Sequence, residues 1–276
     1  LNSDLIVSYA KTKIILVQGG YFMLPQERYE KILSILKSDN IIKINDIVQM
    51  FDISIETARR DLAHMESIGL LKRVYGGAIP VIASSVEINY VKRKKINSND
   101  KKQIAIKCSE FINTNDTIFM DTGTTVLEVS KNLKDKKNLT VITNSILVAN
   151  ELMNTNIKVY VLGGYLRETE GSFSGPLTLS AIEQFNVDKA ILGAGGITLE
   201  NGISDYHLEE ALVRKKMIER SRKSIVVVEP PKFGINSFAS VAPIEHIDTI
   251  ITSASIDHNI IIEFSQKGIP LVIADN

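Results

Sequence analysis

The pattern of apolar and polar positions changes character twice along the chain. Between Gln26 and Lys37 the apolar residues Tyr29, Ile32, Leu33, Ile35 and Leu36 fall at helical spacing, which predicts a first helix stopped by Asp39-Asn40. Ile44, Ile47, Val48 and Phe51 predict a second, short amphipathic helix. Phe51-Asp52-Ile53-Ser54 reads as a tight turn, with Ser54 as N-cap of a third helix over about 55–68. That helix buries Ala58, Leu62, Met65 and Ile68 and ends at Gly69. Residues 70–79 then alternate and turn at Gly76-Gly77, which predicts a β-hairpin.

After loop chemistry at 83–85 and 97–100, where Ser98 is placed to cap a helix, a third pattern begins. Helices are predicted at 99–112, 124–133, 145–153, 177–185, 207–221 and 257–267. Strands are predicted at 117–121, 139–143, 157–162, 188–194, 224–229, 247–252 and 270–273. Alternation of this kind predicts an α/β fold with a mostly parallel sheet covered on both faces. The expected domains are therefore 23–80, a connector at 81–102, and 103–276.

Three short helices followed by a hairpin form the pattern of a winged helix-turn-helix, whose third helix enters the major groove of DNA. The exposed face of that helix carries Glu56, Thr57, Arg59, Arg60 and His64. Arg59 and Arg60 point about 100° apart, so one can reach a base edge and the other a phosphate. The alternative is a helical interaction domain with both arginines in surface salt bridges to Glu56 and Asp61.

Charge changes this picture in one respect. The chain has 32 basic and 32 acidic residues, so no basic excess advertises nucleic acid. Residues 23–80 are also balanced, and binding has to rest on where the charges sit. The connector, by contrast, holds Lys92, Arg93, Lys94, Lys95, Lys101 and Lys102 against Asp100. This run reads equally as a solvated linker or as a phosphate-facing one. No apolar run approaches the roughly 18–20 residues of a membrane span. The single cysteine, Cys108, permits no internal disulfide and reads as a small core residue in a reducing cytoplasm. Residues 1–22 are expected to be translated upstream sequence or a disordered extension. Gln18-Gly19-Gly20 can be encoded by a ribosome-binding sequence, and Met23 then reads as the start.

Parallel sheets bind ligands at the carboxyl ends of their strands. Four polar or glycine-rich turns fall there: Asp121-Thr122-Gly123-Thr124-Thr125, Thr143-Asn144-Ser145, Gly163-Gly164 and Gly193-Ala194-Gly195-Gly196. Hydroxyls and backbone N–H groups at a helix start can hold a phosphate, and four such turns point to a shared anion site. Downstream, His207, Glu209, Glu210, Arg214 and Lys215 lie on or near one helix start. Glu210 and Arg214 can pair at i, i+4. Lys232 can reach a phosphate or can be a solvated loop lysine. The histidines lack ligand spacing, so neither a metal nor any other cofactor is expected.

These motifs, in their order and spacing, resemble those of DeoR-type bacterial repressors over nearly the whole chain from Met23. The matching blocks are residues 53–62, Arg73-Val74-Tyr75-Gly76-Gly77-Ala78, residues 121–125, residues 141–144, Leu162-Gly163-Gly164, Glu209-Glu210-Ala211 and Lys232-Phe233-Gly234. The resemblance implies a winged-helix DNA reader fused to a sugar-phosphate sensor similar in fold to ribose-5-phosphate isomerase. It also implies repression of a catabolic operon, release from operator DNA by a phosphorylated sugar, and a homodimer or homotetramer, with no membrane partner. On this pattern Thr57, Arg59 and Arg60 contact DNA, flanked by Ser54 and Glu56, with Arg73 and Tyr75 on the wing. The effector site is expected to comprise Asp121, Gly123, Thr124, Thr125, Thr143, Asn144, Gly163, Gly164, Gly193, Glu210 and Lys232.

Two departures stand out. Relatives usually carry an Asp-Ser-Ser segment where this chain has Glu229-Pro230-Pro231, which removes two hydroxyls and two backbone donors. An Asp commonly stands where this chain has His207, with Asp205 nearby as a substitute. The alternative function is a sugar-phosphate isomerase or deaminase-like enzyme with an accessory N-terminal domain. Its general base would have to be Asp121 or Glu210. A third reading is a constitutive DNA-binding protein whose sensor no longer takes a ligand.

Overall fold

A computed structural model describes residues 23–39, 41–68, 70–80 and 90–274. The expectations for residues 1–22, for the first part of the connector, and for Asn40 and Gly69 as helix stops lie outside the described residues. The chain divides between Pro80 and Val81 into two compact units.

The first unit runs α1 (Pro25–Asp39), β1 (Ile42–Lys43), α2 (Ile44–Phe51), α3 (Ile55–Ser67), β2 (Leu71–Val74) and β3 (Gly77–Pro80). The helical-spacing residues Ile32, Leu36, Ile47, Ala58, Leu62 and Met65 share one core with Leu71 from the hairpin. Ser54 caps α3, its Oγ accepting the Thr57 N–H at 3.1 Å. Two details differ from expectation. Val74 pairs with Gly77, so the turn is Tyr75-Gly76 and Gly77 already belongs to the strand beside β1. Ile68 follows the last turn of α3 and is 53% exposed, outside the core.

Asp61 also departs from a surface role. It is buried, and Arg28 Nε donates to its Oδ2 at 2.7 Å, tying α1 to α3. The Tyr29 hydroxyl donates to Oδ1 at 3.4 Å. The surface pairing of Arg60 with Asp61 therefore does not form.

The second unit begins with α4 (Tyr90–Lys95) and α5 (Ser98–Glu110), then β4 (Thr117–Met120), α6 (Thr124–Lys131), β5 (Thr140–Thr143), α7 (Ile146–Leu152) and β6 (Lys158–Val161). A hairpin, β7 (Tyr165–Arg167) and β8 (Ser172–Ser174), precedes α8 (Pro176–Ile182) and β9 (Val187–Leu192). There follow β10 (Gly196–Thr198), β11 (Gly202–Asp205), α9 (Leu208–Glu219) and β12 (Ser221–Val227). The described chain closes with β13 (Ala239–Ala242), β14 (Thr249–Ser253), α10 (His258–Gln266) and β15 (Leu271–Ala274).

Seven strands form one parallel sheet in the order β15-β14-β12-β9-β4-β5-β6. Alternate residues enter opposite faces. Ile118, Met120, Val141, Ile191, Ile225 and Val227 pack with Ile104 of α5, Val126 of α6 and Val148 of α7. Phe119, Ile142, Ala190, Leu192 and Val226 pack with Ile182 of α8, Val213 of α9 and Phe264 of α10. Cys108 lies fully buried in the first of these layers, as read from its helix, and burial pushes its thiol up to about 12.

The chain winds outward from β4 through β5 to β6, then returns to the other side of β4 at β9 and winds the opposite way. The strand order therefore reverses between β4 and β9, and their carboxyl ends leave a crevice there.

Three features exceed the sequence reading. Hairpin β7–β8 and the antiparallel sheet β10-β11-β13 were not expected; their strands are three or four residues long and carry no periodic run. The basic stretch expected to be connector is helical in α4 and from Ser98 onward, and Asn97 rather than Ser98 occupies the cap position of α5. Lys101 in this stretch is 2% exposed.

Because Asp61 is the buried partner of Arg28, Asp61→Ala is expected to destabilise the first unit by about 3–5 kcal/mol through the uncompensated guanidinium. Urea denaturation followed by circular dichroism measures this. An unchanged midpoint would refute the structural role of the pair.

Candidate functional site

Asp121 follows β4 and Gly193 follows β9, so both stand at the reversal of strand order. The Gly193 N–H donates to Asp121 Oδ2 at 3.1 Å across the crevice. Arg214 reaches the same carboxylate from α9, its Nε donating to Oδ2 at 2.5 Å. Its Nη1 donates to Asp205 at the end of β11, and its Nη2 lies 3.9 Å from Glu210. The i, i+4 contact read from the sequence is thus the longest of the three. The close partners of Arg214 come from β11 and from the end of β4, 93 residues away.

All four side chains are almost wholly buried. Burial works against the Arg214 charge, but Asp121, Asp205 and Glu210 outweigh it and hold its pKa well above the ordinary value. Burial also pushes the Asp121 carboxyl upward, and Arg214 pulls it back. Glu210 has two further partners, accepting from Ser172 Oγ at 2.8 Å and lying 2.9 Å from Arg167 Nη1. Three carboxylates thus face two guanidinium groups. The arrangement offers acceptor oxygens for ligand hydroxyls.

The start of α6 forms the second wall. Gly123 takes φ 117°, a conformation that favours glycine, and places Thr124 and Thr125 at the first turn of the helix. Thr125 Oγ1 donates to Glu229 Oε1. Glu229 Oε2 lies 3.4 Å from the ammonium of Lys101. Burial lowers the Lys101 pKa, and Glu229 partly restores it.

The turn after β5 forms the third wall. Thr143 Oγ1 accepts the Ser145 N–H at 3.0 Å, and Asn144 Nδ2 donates to the Phe173 carbonyl at 3.0 Å. Asn144 Oδ1 is buried and lacks a hydrogen-bond partner among the described residues. Buried acceptors in folded proteins are nearly always satisfied, so this oxygen suits a ligand hydroxyl.

The structure joins Asp121, Gly193 and Glu210 by direct contacts or through Arg214, and Asn144 joins them through the Ser172-Phe173 strand, while Thr125 is tied instead to Glu229 and, through it, to Lys101. Gly163 and Gly164 follow the edge strand β6 and meet α8 instead. The Gly163 carbonyl accepts from Thr178 at 2.8 Å, and a Cβ on Gly164 would stand 2.1 Å from the Thr178 hydroxyl. Close packing thus accounts for Gly164 without a ligand. Lys232 lies 3.3 Å from the Tyr206 hydroxyl, its ammonium 5.0 Å from the ring centroid. His207 stands at the N-cap of α9, its N–H donating to Asp205 Oδ1 at 2.9 Å.

Lys101 and Glu229 were not among the expected site residues. A signal for Lys101 was present: it precedes Ile104 and Cys108 by three and seven residues and so shares their buried helix face. The partnership with Glu229 joins positions 128 residues apart in sequence and has no local signature.

In the first unit the expected DNA-facing residues lie along the start of α3 and on the hairpin. Ser54 is engaged as a cap and Arg59 pairs with Glu56 at 3.1 Å on the exposed face. Arg60 is exposed, with no ion-pair partner among the described residues. Arg73 is held by Glu66, with Nε 2.6 Å from Oε2 and its backbone N–H on Oε1, while Tyr75 projects 70% exposed from the turn.

Among the described residues, no cluster of His, Cys, Asp and Glu could hold a metal, and no helix is long and apolar enough to cross a membrane. Asp121 and Glu210, the candidate bases of the enzyme reading, are both in ion pairs with arginine, Asp121 with Arg214 and Glu210 with Arg167.

Residues 28–82 match the family model of a DeoR-like helix-turn-helix domain, and residues 96–254 match that of the DeoR C terminal sensor domain. The transcriptional repressor AccR of Agrobacterium fabrum is 38% identical over 84% of this chain and 91% of its own. The HTH-type transcriptional regulator GolR of Listeria innocua is 32% identical over 92% of this chain and 100% of its own. The glycerol-3-phosphate regulon repressor of Escherichia coli is 33% identical over 84% of this chain and 92% of its own. Among solved structures, ribose 5-phosphate isomerase A of Methanocaldococcus jannaschii aligns with 50% of this chain and 55% of its own, at 16% identity and a TM-score of 0.37.

Removing the guanidinium leaves Asp121 and Asp205 buried and facing each other without a cation. Arg214→Met is expected to lower the stability of the second unit by about 3–5 kcal/mol. Thermal unfolding followed by calorimetry checks this, and a melting temperature equal to wild type would remove Arg214 from the centre of the fold.

Proposed function

Because the chain belongs to the DeoR family of helix-turn-helix transcriptional regulators, we propose that it represses a sugar-catabolism operon and leaves its operator when a phosphorylated sugar binds the second unit. One observation carries the effector half of this reading. A buried cluster of acceptor oxygens stands at the reversal of strand order, beside a helix start bearing Thr124 and Thr125 and within reach of basic side chains. Sugar hydroxyls have Asp121, Glu210 and Asn144 Oδ1 as acceptors, and a phosphate has Thr124, Thr125 and the N–H groups of α6 as donors. The name of the Escherichia coli relative, a glycerol-3-phosphate regulon repressor, points to effectors of the same chemistry.

On the DNA side, α3 enters the major groove and the Tyr75 turn lies along the backbone. Arg60 is the base-reading candidate, because its guanidinium has no ion-pair partner among the described residues while Arg59 is shared with Glu56. The balanced charge of residues 23–80 allows few phosphate contacts per subunit, so a homodimer or homotetramer in the cytoplasm supplies the remaining affinity. The switch is a population shift, in which the effector binds the DNA-incompetent arrangement more tightly than the competent one.

Three outcomes are expected. In a thermal-shift screen of phosphorylated sugars and glycerol 3-phosphate, at least one ligand raises the melting temperature of wild type; a screen without a hit would overturn the phosphorylated effector. Thr124→Ala lowers the affinity for that ligand by about tenfold, the loss of one charge-assisted hydrogen bond, read by calorimetry; unchanged affinity would take the α6 start out of the site. Arg60→Ala weakens binding to genomic fragments selected by the wild-type protein by at least about tenfold while its melting temperature stays the same. Equal DNA affinity would contradict the recognition-helix assignment.

A further inference from the structure

The donors at the start of α6 already hold an anion, and it belongs to the chain itself. Glu229 follows β12 and precedes the turn Pro230–Lys232. One carboxylate oxygen accepts from Thr125 Oγ1 and the other lies 3.4 Å from Lys101 Nζ. Thr125 and Lys101 are nearly inaccessible, whereas the Glu229 side chain remains 14% exposed. Glu229 is therefore the most accessible member of the trio.

The same trio is tied to α4. Lys101 Nζ donates to the carbonyls of Arg93, at 2.7 Å, and Ile96, which close the end of that helix. A second tie runs from Arg93 to the Glu170 carboxylate, and the Glu170 carbonyl accepts from Thr122 at 3.5 Å. The loop 121–125 thus holds α4 from two sides, once through Glu170 and once through Glu229. In chain order α4 is the first described element of the second unit, immediately after the connector from the DNA-reading unit.

We propose that Glu229 is a displaceable internal anion: it occupies the seat formed by Thr125 and Lys101, and the anionic group of the effector enters by displacing it. This rests on the reading of the effector as anionic. A carboxylate and a phosphate cannot share one ammonium and one hydroxyl at contact distance without strong mutual repulsion. The incoming anion must therefore be held by the rest of its molecule as well, and free phosphate alone competes poorly. The device makes the seat selective for a phosphate carried on a polyol that also engages Asp121, Glu210 and Asn144. Pro230 and Pro231 fix φ on the far side of Glu229 and contribute no N–H, so these two residues offer the incoming anion no backbone donor. Once displaced, Glu229 no longer bridges Lys101 to Thr125, and the incoming anion takes over that bridge and with it the tie to α4.

The test uses the full chain and inorganic phosphate as probe, with titration calorimetry on wild type, Glu229→Gln and Glu229→Asp. Gln keeps the size and the acceptor toward Thr125 but removes the charge; Asp retracts the carboxylate by one methylene and covers the case in which Gln impairs folding. Phosphate is expected to bind Glu229→Gln at least about tenfold more tightly than wild type, with Glu229→Asp between them. Hydrogen exchange in residues 90–97 is expected to be raised in Glu229→Gln without ligand, and to fall back towards the wild-type level when phosphate fills the seat. Equal or weaker phosphate affinity in Glu229→Gln would overturn the displacement while leaving an anionic effector in place. Unchanged exchange in both cases would overturn the link to α4. Failure of wild type and both variants to bind phosphate or any phosphorylated sugar would overturn the anionic effector itself.

Discussion

Arg214 carries a positive charge into the interior of the second unit, where water does not compensate it. The surrounding chain has to supply the compensation, and does so with Asp121 after β4, Asp205 at the end of β11 and Glu210 one turn earlier on α9. These residues belong to different elements, so satisfying one guanidinium fixes the parallel sheet, the small antiparallel sheet and the covering helix relative to one another. Isolated burial of such a charge is prohibitive, and close pairing with good geometry is the condition for tolerating it. The same pairing collects acceptor oxygens at the one place where the sheet topology opens a crevice.

On the proposed reading, a site built in this way takes a ligand rich in hydroxyls. The carboxylates are engaged by arginines, and what they offer a sugar is acceptor oxygens at fixed positions. The start of α6 supplies the opposite chemistry a short distance away, with hydroxyls and a buried ammonium that already hold a carboxylate. Acceptor-rich and donor-rich walls side by side match a molecule with hydroxyls at one end and an anion at the other. On that reading, regulation runs through the connection of both walls to α4, the first described element of this unit.

Much of this organisation is legible in the sequence because it rests on periodicity. Ile32, Leu36, Ala58, Leu62 and Met65 mark helices by their spacing, and the seven strands of the parallel sheet announce themselves as short apolar runs between helices. Asp121, Gly193 and Glu210 could be placed at strand ends or a helix start for the same reason. What could not be read is the partnership of residues distant in sequence. Glu210 and Arg214 look like a local pair, yet Arg214 binds more closely to Asp121 and Asp205. Asp61 looks like a surface acid on α3, yet it is buried against Arg28 of α1. Lys101 sits in a run that reads equally as a solvated linker or a phosphate-facing one, and only its phase relative to Ile104 and Cys108 betrays that it points inward. Strands of three residues, such as β7, β8 and β10, are too short to carry a period, and the hairpin and small sheet they build were invisible for that reason.

The coupling between the two units is the core of the functional reading, and one titration addresses it directly. Operator fragments selected by the protein are labelled, bound to saturation, and followed by fluorescence anisotropy while the phosphorylated sugar that most stabilises the free protein is added. The expected result is release of DNA over the concentration range in which the sugar binds, with the sugar recovered chemically unchanged. Anisotropy that stays constant while the sugar saturates the protein, or conversion of the sugar to an isomer, would contradict a ligand-released repressor.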